Sequence, residues 1–157
     1  MKLSTHEDIA APIHEVFAVI SDFENLERAV LRRGAEVART DTLSAPGAGM
    51  CWSATFDFQG KARQVETEIT DYCPPESVTL RISASGLSGM SVVELVALSE
   101  EQTRMAVAVD VTAQSMTGRV LMQTLRLARG KIAERFESGI ARFARELESG
   151  RFREGSR

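Results

Sequence analysis

The chain has 157 residues, 43% of them hydrophobic and 26% charged, with a net charge of −3. This composition is typical of one soluble globular domain, which we expect to span residues 1–150, followed by a disordered tail at 151–157. The start, MKLSTHEDIAAP, has no continuous apolar run, and nowhere does such a run reach about 18 residues, so neither a secretory signal nor an integral membrane segment is expected. Cys51 and Cys73 are interpreted as reduced thiols, and a cytoplasmic location is therefore expected.

The N-terminal part predicts one short strand followed by two short helices. Residues 3–9 fit the strand, and Pro12 occupies the first position of a helix whose apolar residues follow a period of about 3.6. Ser21 with Glu24 three residues later forms a capping box, which starts the second helix. The inward-facing residues of that helix are expected to be Leu26, Ala29 and Val30.

From Gly34 onward the hydrophobic period changes to two, which predicts β-strands. Turn residues such as Gly60 and the pair Pro74-Pro75 separate the alternating segments. The short connections require antiparallel neighbours, because a parallel crossover needs about a dozen residues. Together with the first strand this makes seven strands, and the six later ones lie within residues 35–41, 50–59, 62–70, 78–84, 90–98 and 105–111.

Residues 117–149 are predicted to form one long helix, with Thr117 as its N-cap and Gly150 just past its end. An apolar stripe follows this helix at spacings of three and four, through Leu121, Leu125, Ala128, Ile132, Phe136, Ile140, Phe143 and Leu147. The sequence contains no second helix of comparable length, so a sheet must cover the stripe. We therefore predict an α+β fold in which a curved, seven-stranded antiparallel sheet wraps around a long C-terminal helix.

Charge is unevenly distributed along the chain. Residues 1–116 hold 9 Lys and Arg against 17 Asp and Glu, whereas residues 117–157 hold 10 against 5. The simplest interpretation is a solvated cationic face on the long helix, and the alternative is a surface for an acidic protein, a nucleic acid or a membrane. No aromatic residues interleave with the arginines, so a nucleic-acid partner is not expected. A protein partner at the basic face of the helix stays an open hypothesis.

Short motifs distributed over nearly the whole chain carry a family resemblance. They are Ile9-Ala10-Ala11-Pro12, Val16-Phe17, Ser21-Asp22-Phe23, Gly49 with Trp52, Gly60, Pro74-Pro75-Glu76 and Thr103. In this order they resemble the SRPBCC superfamily of helix-grip proteins, which includes START-like lipid-transfer domains, polyketide cyclases and a small protein associated with carbon monoxide dehydrogenase. The resemblance implies a cavity between sheet and helix that binds an apolar or aromatic molecule. It does not select one function, because the same frame serves binders, enzymes and assembly proteins.

Residues suited to catalysis are sparse. His6 and His14 lie on different elements, and neither has a carboxylate or cysteine at a spacing that indicates a site. No metal or cofactor is expected, since two histidines and two cysteines in four elements provide no local pair of ligands. The carboxylates of the strands alternate with apolar residues and should face water, namely Glu66, Glu68, Glu94 and Asp110. We assign no catalytic residue on this basis.

The inward-facing apolar residues are the main functional feature of the sequence. Bulky, adaptable side chains on the strands and the long helix are expected to line a cavity. The twelve predicted lining residues are Trp52, Phe56, Phe58, Val65, Leu80, Met90, Met105, Val107, Leu121, Thr124, Leu125 and Ala128. Thr124 is the polar residue best placed to give a ligand one hydrogen bond, and it can alternatively bond back to its own helix. The competing interpretation is that these side chains only fill the core.

Three functions therefore stay open. The first is binding, for transport or sequestration, of a small hydrophobic or aromatic molecule between sheet and helix. The second is a cyclase or dehydratase of polyketide-like substrates, in which Thr124 or Tyr72 gives modest acid–base help. The third is an assembly or interaction protein, similar to the one associated with carbon monoxide dehydrogenase, that uses the arginine-rich face from Arg119 to Arg145. Binding is favoured, because the sequence offers no paired nucleophile and base.

Two glycines inside the long helix require an explanation, since each costs about 1 kcal/mol relative to alanine there. Gly139 lies near the apolar stripe, where the missing Cβ is expected to permit close packing. Gly130 lies off the stripe, where it is expected to permit a bend over the mouth of the cavity.

Overall fold

The computed structural model describes residues 1–58 and 60–150, except for the side chain of Phe58. Strand β1 (Lys2–Ile9) is followed by two short helices, α1 (Ile13–Ile20) and α2 (Phe23–Arg32). Six strands come next: β2 (Glu36–Arg39), β3 (Cys51–Phe58), β4 (Lys61–Cys73), β5 (Ser77–Ala84), β6 (Leu87–Ser99) and β7 (Gln102–Ala113). Helices α3 (Met116–Leu127) and α4 (Arg129–Glu148) complete the fold. The predicted α+β class and seven strands are confirmed, and the predicted tail lies outside the described residues.

All seven strands form one antiparallel sheet in the order β1-β7-β6-β5-β4-β3-β2. Strands β2 to β7 pair in sequence order, whereas β1 pairs with the last strand, from Lys2 opposite Asp110 to Ile9 opposite Thr103. A bulge interrupts the β4–β5 register between Ile69 and Asp71, and such bulges bend the strand that contains them. The curved sheet therefore has a concave face that the helices can cover.

Side chains of a strand alternate between the two faces of a sheet, and in this sheet the apolar side chains lie on the concave face. Ile9, Ile69, Leu95 and Met105 project from it and are at most 4% exposed. Helix α4 packs on β1, α3 packs on β6 and β7, and α1 packs on β6 and β7 as well. The helices therefore lie mainly over β1, β7 and β6, while the core also includes Trp52, Ile69 and Val78 from β3, β4 and β5.

Helix α2 departs from the prediction in its cap and in its buried face. Asp22 is the N-cap, since its carboxylate accepts from the Asn25 backbone N–H at 3.3 Å, whereas the Ser21 hydroxyl donates to the carbonyl of Phe17. The predicted inward residues Leu26 and Val30 are 39% and 38% exposed. The helix is rotated so that a different pair, Phe23 and Glu27, faces the sheet.

The C-terminal helical segment is confirmed, but it is bent and starts earlier than predicted. Ser115, not Thr117, is the N-cap, and its hydroxyl accepts from the Gly118 N–H at 3.1 Å. The bend lies at Ala128, where φ is −96° and ψ is 11°. The start is set by tertiary contact, because Gly118 packs on the backbone of Gly86, to whose carbonyl the Gln114 N–H donates at 2.7 Å.

The structure does not support the packing role expected for Gly139. A Cβ added at Gly139 would have nothing within 4 Å, apart from the helix's own neighbouring backbone and its two chain neighbours. The same holds for Gly130, and the bend lies two residues before it, at Ala128. The helical glycine that does permit close packing is Gly118.

Candidate functional site

The accessible part of the concave face belongs to strands β3, β4 and β5. The strand register places Ala54 beside Val65 and Val65 beside Ala84, on the same side as the buried Ile69. These three residues are only partly buried, and Phe56 on the same face is 38% exposed. Because α3 and α4 pack mainly on β6, β7 and β1, the part of this inward surface around Ala54, Val65 and Ala84 stays partly exposed, whereas Ile69 is buried. We call this surface the cleft.

Arg63 is a charged residue on the apolar face of the cleft. Arg63 lies opposite Phe56 in the register and two residues before Val65, so it shares their face. It is partly buried, and its Nε is fully buried without a hydrogen-bond partner among the described residues. A buried polar group that lacks a partner costs about 1–3 kcal/mol, and more when it is charged. Among the described residues, Arg63 Nε is the only buried side-chain nitrogen or oxygen atom without a hydrogen-bond partner.

An aromatic cluster fills the end of the concave face below α2. The Phe23 ring lies 5.3 Å from Trp52 and 6.4 Å from Tyr72, and Phe17 lies 5.6 Å from Tyr72, measured between ring centroids. The Trp52 indole N–H donates to the carboxylate of Glu27 at 2.6 Å. Trp52 is only 8% exposed, so this cluster is core and bounds the cleft at one end.

Arg39 is a second cation, which lies beside the aromatic cluster and is already paired with a carboxylate. The Arg39 guanidinium lies 5.9 Å from the Trp52 ring centroid and is bound to the carboxylate of Asp41, which also accepts from the backbone N–H groups of Cys51 and Leu43. These donors, Arg39 foremost, hold the pKa of Asp41 well below its usual value. Arg39 therefore fixes the segment between β2 and β3, in contrast to Arg63.

The twelve predicted lining residues separate into groups. Trp52, Met105 and Val107 are at most 8% exposed, so they fill the core as the competing interpretation held. Met90 lies on the convex face, opposite Arg81 and Asp110 in the register, and does not face the helices. The side chain of Phe58 lies outside the described atoms. The remaining residues keep part of their surface accessible on the cleft strands, on α3 or at its end, namely Phe56, Val65, Leu80, Leu121, Thr124, Leu125 and Ala128.

The hydroxyl of Thr124 takes the alternative role predicted for it. It lies 3.4 Å from the carbonyl oxygen of Val120 one turn earlier, in the geometry of a back-bond within the helix. Thr124 is partly buried, as are Leu121, Leu125 and Ala128. The hydroxyl of Thr124 is therefore engaged within its own helix.

Two open grooves lie elsewhere on the surface. One, of about 360 Å³, runs between α3 and the end of β7, where Arg119, Gln123 and Arg126 face Val111 and Ala113. The other, of about 450 Å³, is mainly on the convex face around His6, Glu94 and Ala106. Among the predicted lining residues only Val107 contributes to either groove, so these grooves are distinct from the cleft.

Comparison with known proteins identifies the family. A family model described as polyketide cyclase / dehydrase and lipid transport matches residues 1–148. The chain belongs to this family. A search of curated proteins gives no match. The predicted SRPBCC resemblance is thereby confirmed.

Solved structures show the same fold at low sequence identity. The Zhui aromatase/cyclase from Streptomyces sp. R1128 is 14% identical, with a TM-score of 0.65 over 93% of this chain and 94% of that one. Norcoclaurine synthase from Thalictrum flavum is 12% identical, with a TM-score of 0.63 over 95% and 84% of the two chains. A START superfamily protein from Mycobacterium smegmatis is 16% identical, with a TM-score of 0.53 over 85% and 95%. Identities this low establish the helix-grip architecture of this family member and nothing finer.

The residues considered for catalysis are dispersed in this polyketide cyclase-like chain. His6 and His14 are exposed on β1 and α1, and Tyr72 is part of the aromatic cluster. Within residues 1–58 and 60–150, no group of three or more His, Cys, Asp or Glu side chains is arranged to hold a metal ion. No helix among these residues is both long and apolar enough to span a bilayer.

The sequence-based prediction omitted Arg63, although the signal was present. It assigned Val65 to the inward face and Glu66 and Glu68 to the water-facing side, and Arg63, two residues before Val65, continues that alternation by one step. A charged residue in phase with an apolar face is unusual, because burial of a cation is costly.

Proposed function

We propose that the protein binds a small apolar or aromatic molecule in the cleft, and that this molecule carries a carboxylate or carbonyl oxygen. Arg63 is the observation that supports this function, since its buried Nε has no partner in the described structure. A planar guanidinium binds such oxygens in a defined direction and stays charged at all relevant pH values. The ligand would replace the missing hydrogen bond.

The surroundings of Arg63 suit the rest of such a molecule. Phe56 lies opposite Arg63 on the neighbouring strand β3, and Val65 lies two residues further along β4. Leu80 continues the apolar surface on β5. Covering these partly exposed side chains with a ligand yields about 25 cal/mol per Å² of apolar area. Apolar contacts therefore supply affinity, while Arg63 supplies orientation. The lipid-transport part of the family description is in keeping with an apolar ligand.

Competitive displacement of a fluorescent fatty acid tests this function. Decanoate and decanol serve as competitors, because they share an apolar chain and differ in the charged head. We expect decanoate to bind more tightly than decanol to the unaltered protein. In Arg63→Gln the affinity for decanoate should fall about tenfold or more, which corresponds to loss of one charge-assisted hydrogen bond, while that for decanol changes little.

Arg81→Gln is the matched control. Arg81 lies on β5, but it faces the convex side, where its guanidinium is 3.6 Å from the carboxylate of Glu68. This variant should bind decanoate as the unaltered protein does. Equal loss of decanoate binding in both variants, or no displaceable binding in the unaltered protein, would show the proposed function to be wrong.

A further inference from the structure

Helix α3 exposes a row of large apolar side chains. Met116, Val120 and Leu127 are 73%, 63% and 92% exposed. Their spacings of four and seven residues place all three on one side of the helix, opposite the buried Gly118 and Met122. Single exposed apolar residues are common, but an aligned row on a helix marks an interaction surface. We call these three residues the apolar row.

The segment that contains the apolar row carries positively charged residues and no negatively charged ones. Residues 116–133 contain four cations, Arg119, Arg126, Arg129 and Lys131, and no Asp or Glu. All four are exposed. Residues 134–148 contain three cations and four glutamates, so charge there is nearly balanced. The excess of positive charge predicted for the whole helix is therefore concentrated on α3 and the first turn of α4.

The cations flank the apolar row on one side. Arg119 and Arg126 are seven residues apart and line the open groove of about 360 Å³ against the end of β7, together with Gln123. A guanidinium beside a groove is well suited to a phosphate, which it can bind with two parallel hydrogen bonds. The apolar row and the phosphate-compatible groove therefore lie next to each other along one helix.

We propose that α3 docks on the surface of an anionic phospholipid membrane. The apolar row enters the boundary between headgroups and acyl chains, and Arg119 and Arg126 contact headgroup phosphates from the side. A helix with an apolar face, a cationic flank and no acidic residues has the charge and shape of an interfacial membrane anchor. This docking is separate from ligand binding in the cleft and does not depend on it.

A second copy of the chain fits this surface less well. In a twofold dimer the same patch of both copies meets, which would bring the arginines of one copy close to those of the other. Such like-charged contacts are unfavourable, and α3 contains no acidic residue to offset them. A membrane with anionic lipids offers the complementary charge.

Co-sedimentation with vesicles tests the proposal. Vesicles of phosphatidylcholine alone are compared with vesicles that also contain phosphatidylglycerol, at low and at physiological salt. We expect binding only to the anionic vesicles, weakening as salt rises. Arg119→Gln with Arg126→Gln should weaken partition roughly 30-fold, from the contribution of two cations near the surface. Val120→Asp with Leu127→Asp should abolish it.

The control variant removes two arginines from the balanced part of α4. Arg142→Gln with Arg145→Gln makes the same change in net charge, yet it should weaken partition only about twofold. Arg63→Gln should bind vesicles normally, which separates this proposal from the function proposed for the cleft. Equal binding to both vesicle types, an equal loss in the control, or no sedimentation at all would overturn the proposal. So would a dimer in solution that the aspartate substitutions dissociate, since the apolar row would then be an interface between two copies.

Discussion

Trp52 donates its indole N–H to the carboxylate of Glu27, with 2.6 Å between Nε1 and Oε1. This bond links α2 to β3 across 25 residues of sequence, and the Phe23 ring packs on the same indole. Because α2 is otherwise mostly exposed, the contact sets how the helix lies on the sheet. The position of α2 in turn bounds one end of the cleft.

Removing the acceptor should therefore loosen α2. In Glu27→Ala the buried indole N–H has no partner, and we expect a loss of about 1–3 kcal/mol in the free energy of unfolding. Glu27→Gln keeps an acceptor oxygen and should lose less. Chemical denaturation followed by the emission of Trp52, the single tryptophan of the chain, measures both. Equal stability of the alanine and glutamine variants would contradict a role for this bond.

Thr103 is a buried polar residue that stabilises the fold through a hydrogen bond. Its hydroxyl is on β7, is fully buried and donates to the carbonyl of Ala11 at 2.8 Å, just before α1 begins. Thr103→Val keeps the shape but leaves that carbonyl without this donor, so we expect a loss of about 1–3 kcal/mol in stability. Thr103→Ser should retain the bond and lose less. Thermal melts of the two variants decide, and a valine variant as stable as the serine variant would refute the assignment.

Substitution by alanine should change the stability of the protein in opposite directions at Gly118 and Gly139. At Gly118 a Cβ would lie 2.0 Å from the carbonyl oxygen of Gly86, so the backbone must move and stability should fall by about 1–3 kcal/mol or more. At Gly139 nothing outside the local helix lies within 4 Å, so alanine should stabilise by about 0.5–1 kcal/mol through helix propensity. Melting temperatures of the two variants test this difference. A stabilised Gly118→Ala variant would show that the two backbones do not pack as described.

Asp41 should contribute stability that depends on pH. Its pKa in the folded state lies below the usual value of 3.8, chiefly through the hydrogen bond from Arg39 and then that from the Cys51 N–H. A carboxyl with a lowered folded pKa stabilises fully above its unfolded pKa and loses that contribution as pH falls towards the folded one. Unaltered protein should thus be more stable than Asp41→Asn at pH 7, and the difference should shrink as pH falls from about 5 to about 2. Denaturation across this range measures it, with the exposed Asp57→Asn as control. A difference that stays constant with pH would contradict the lowered pKa.

The sequence was sufficient to predict the fold because its hydrophobic periods are simple. Alternation placed Val65 and Leu80 on the inward face, and the backbone geometry of a strand permits no other result. Met90 was assigned to the wrong face because β6 is apolar on both sides, so the period cannot select one. In the structure the small residues Gly89 and Ser91 occupy the inward positions beside it.

How deeply a side chain is buried and where a helix begins depend on tertiary contacts, and the hydrophobic period of the sequence does not reveal these contacts. Trp52 was predicted to face inward, as it does, but its burial is decided by Phe23 and Glu27 of α2. The start of α3 is likewise decided by the contact between Gly118 and Gly86, which are far apart in sequence. Arg63 differs from these cases, since its strand position alone placed it on the inward face.

The central claim, that the cleft binds an apolar molecule with its acceptor oxygen at Arg63, is tested most directly by methyl NMR. Nuclear Overhauser effects would be recorded between decanoate and the side-chain methyl groups of the protein in a saturated complex. We expect contacts from the acyl chain to Val65 and Leu80, with the Arg63 Nε resonance shifted on binding. Contacts to Met90 or Val96 on the convex face, or a complex in which the Arg63 resonance is unchanged, would contradict the claim.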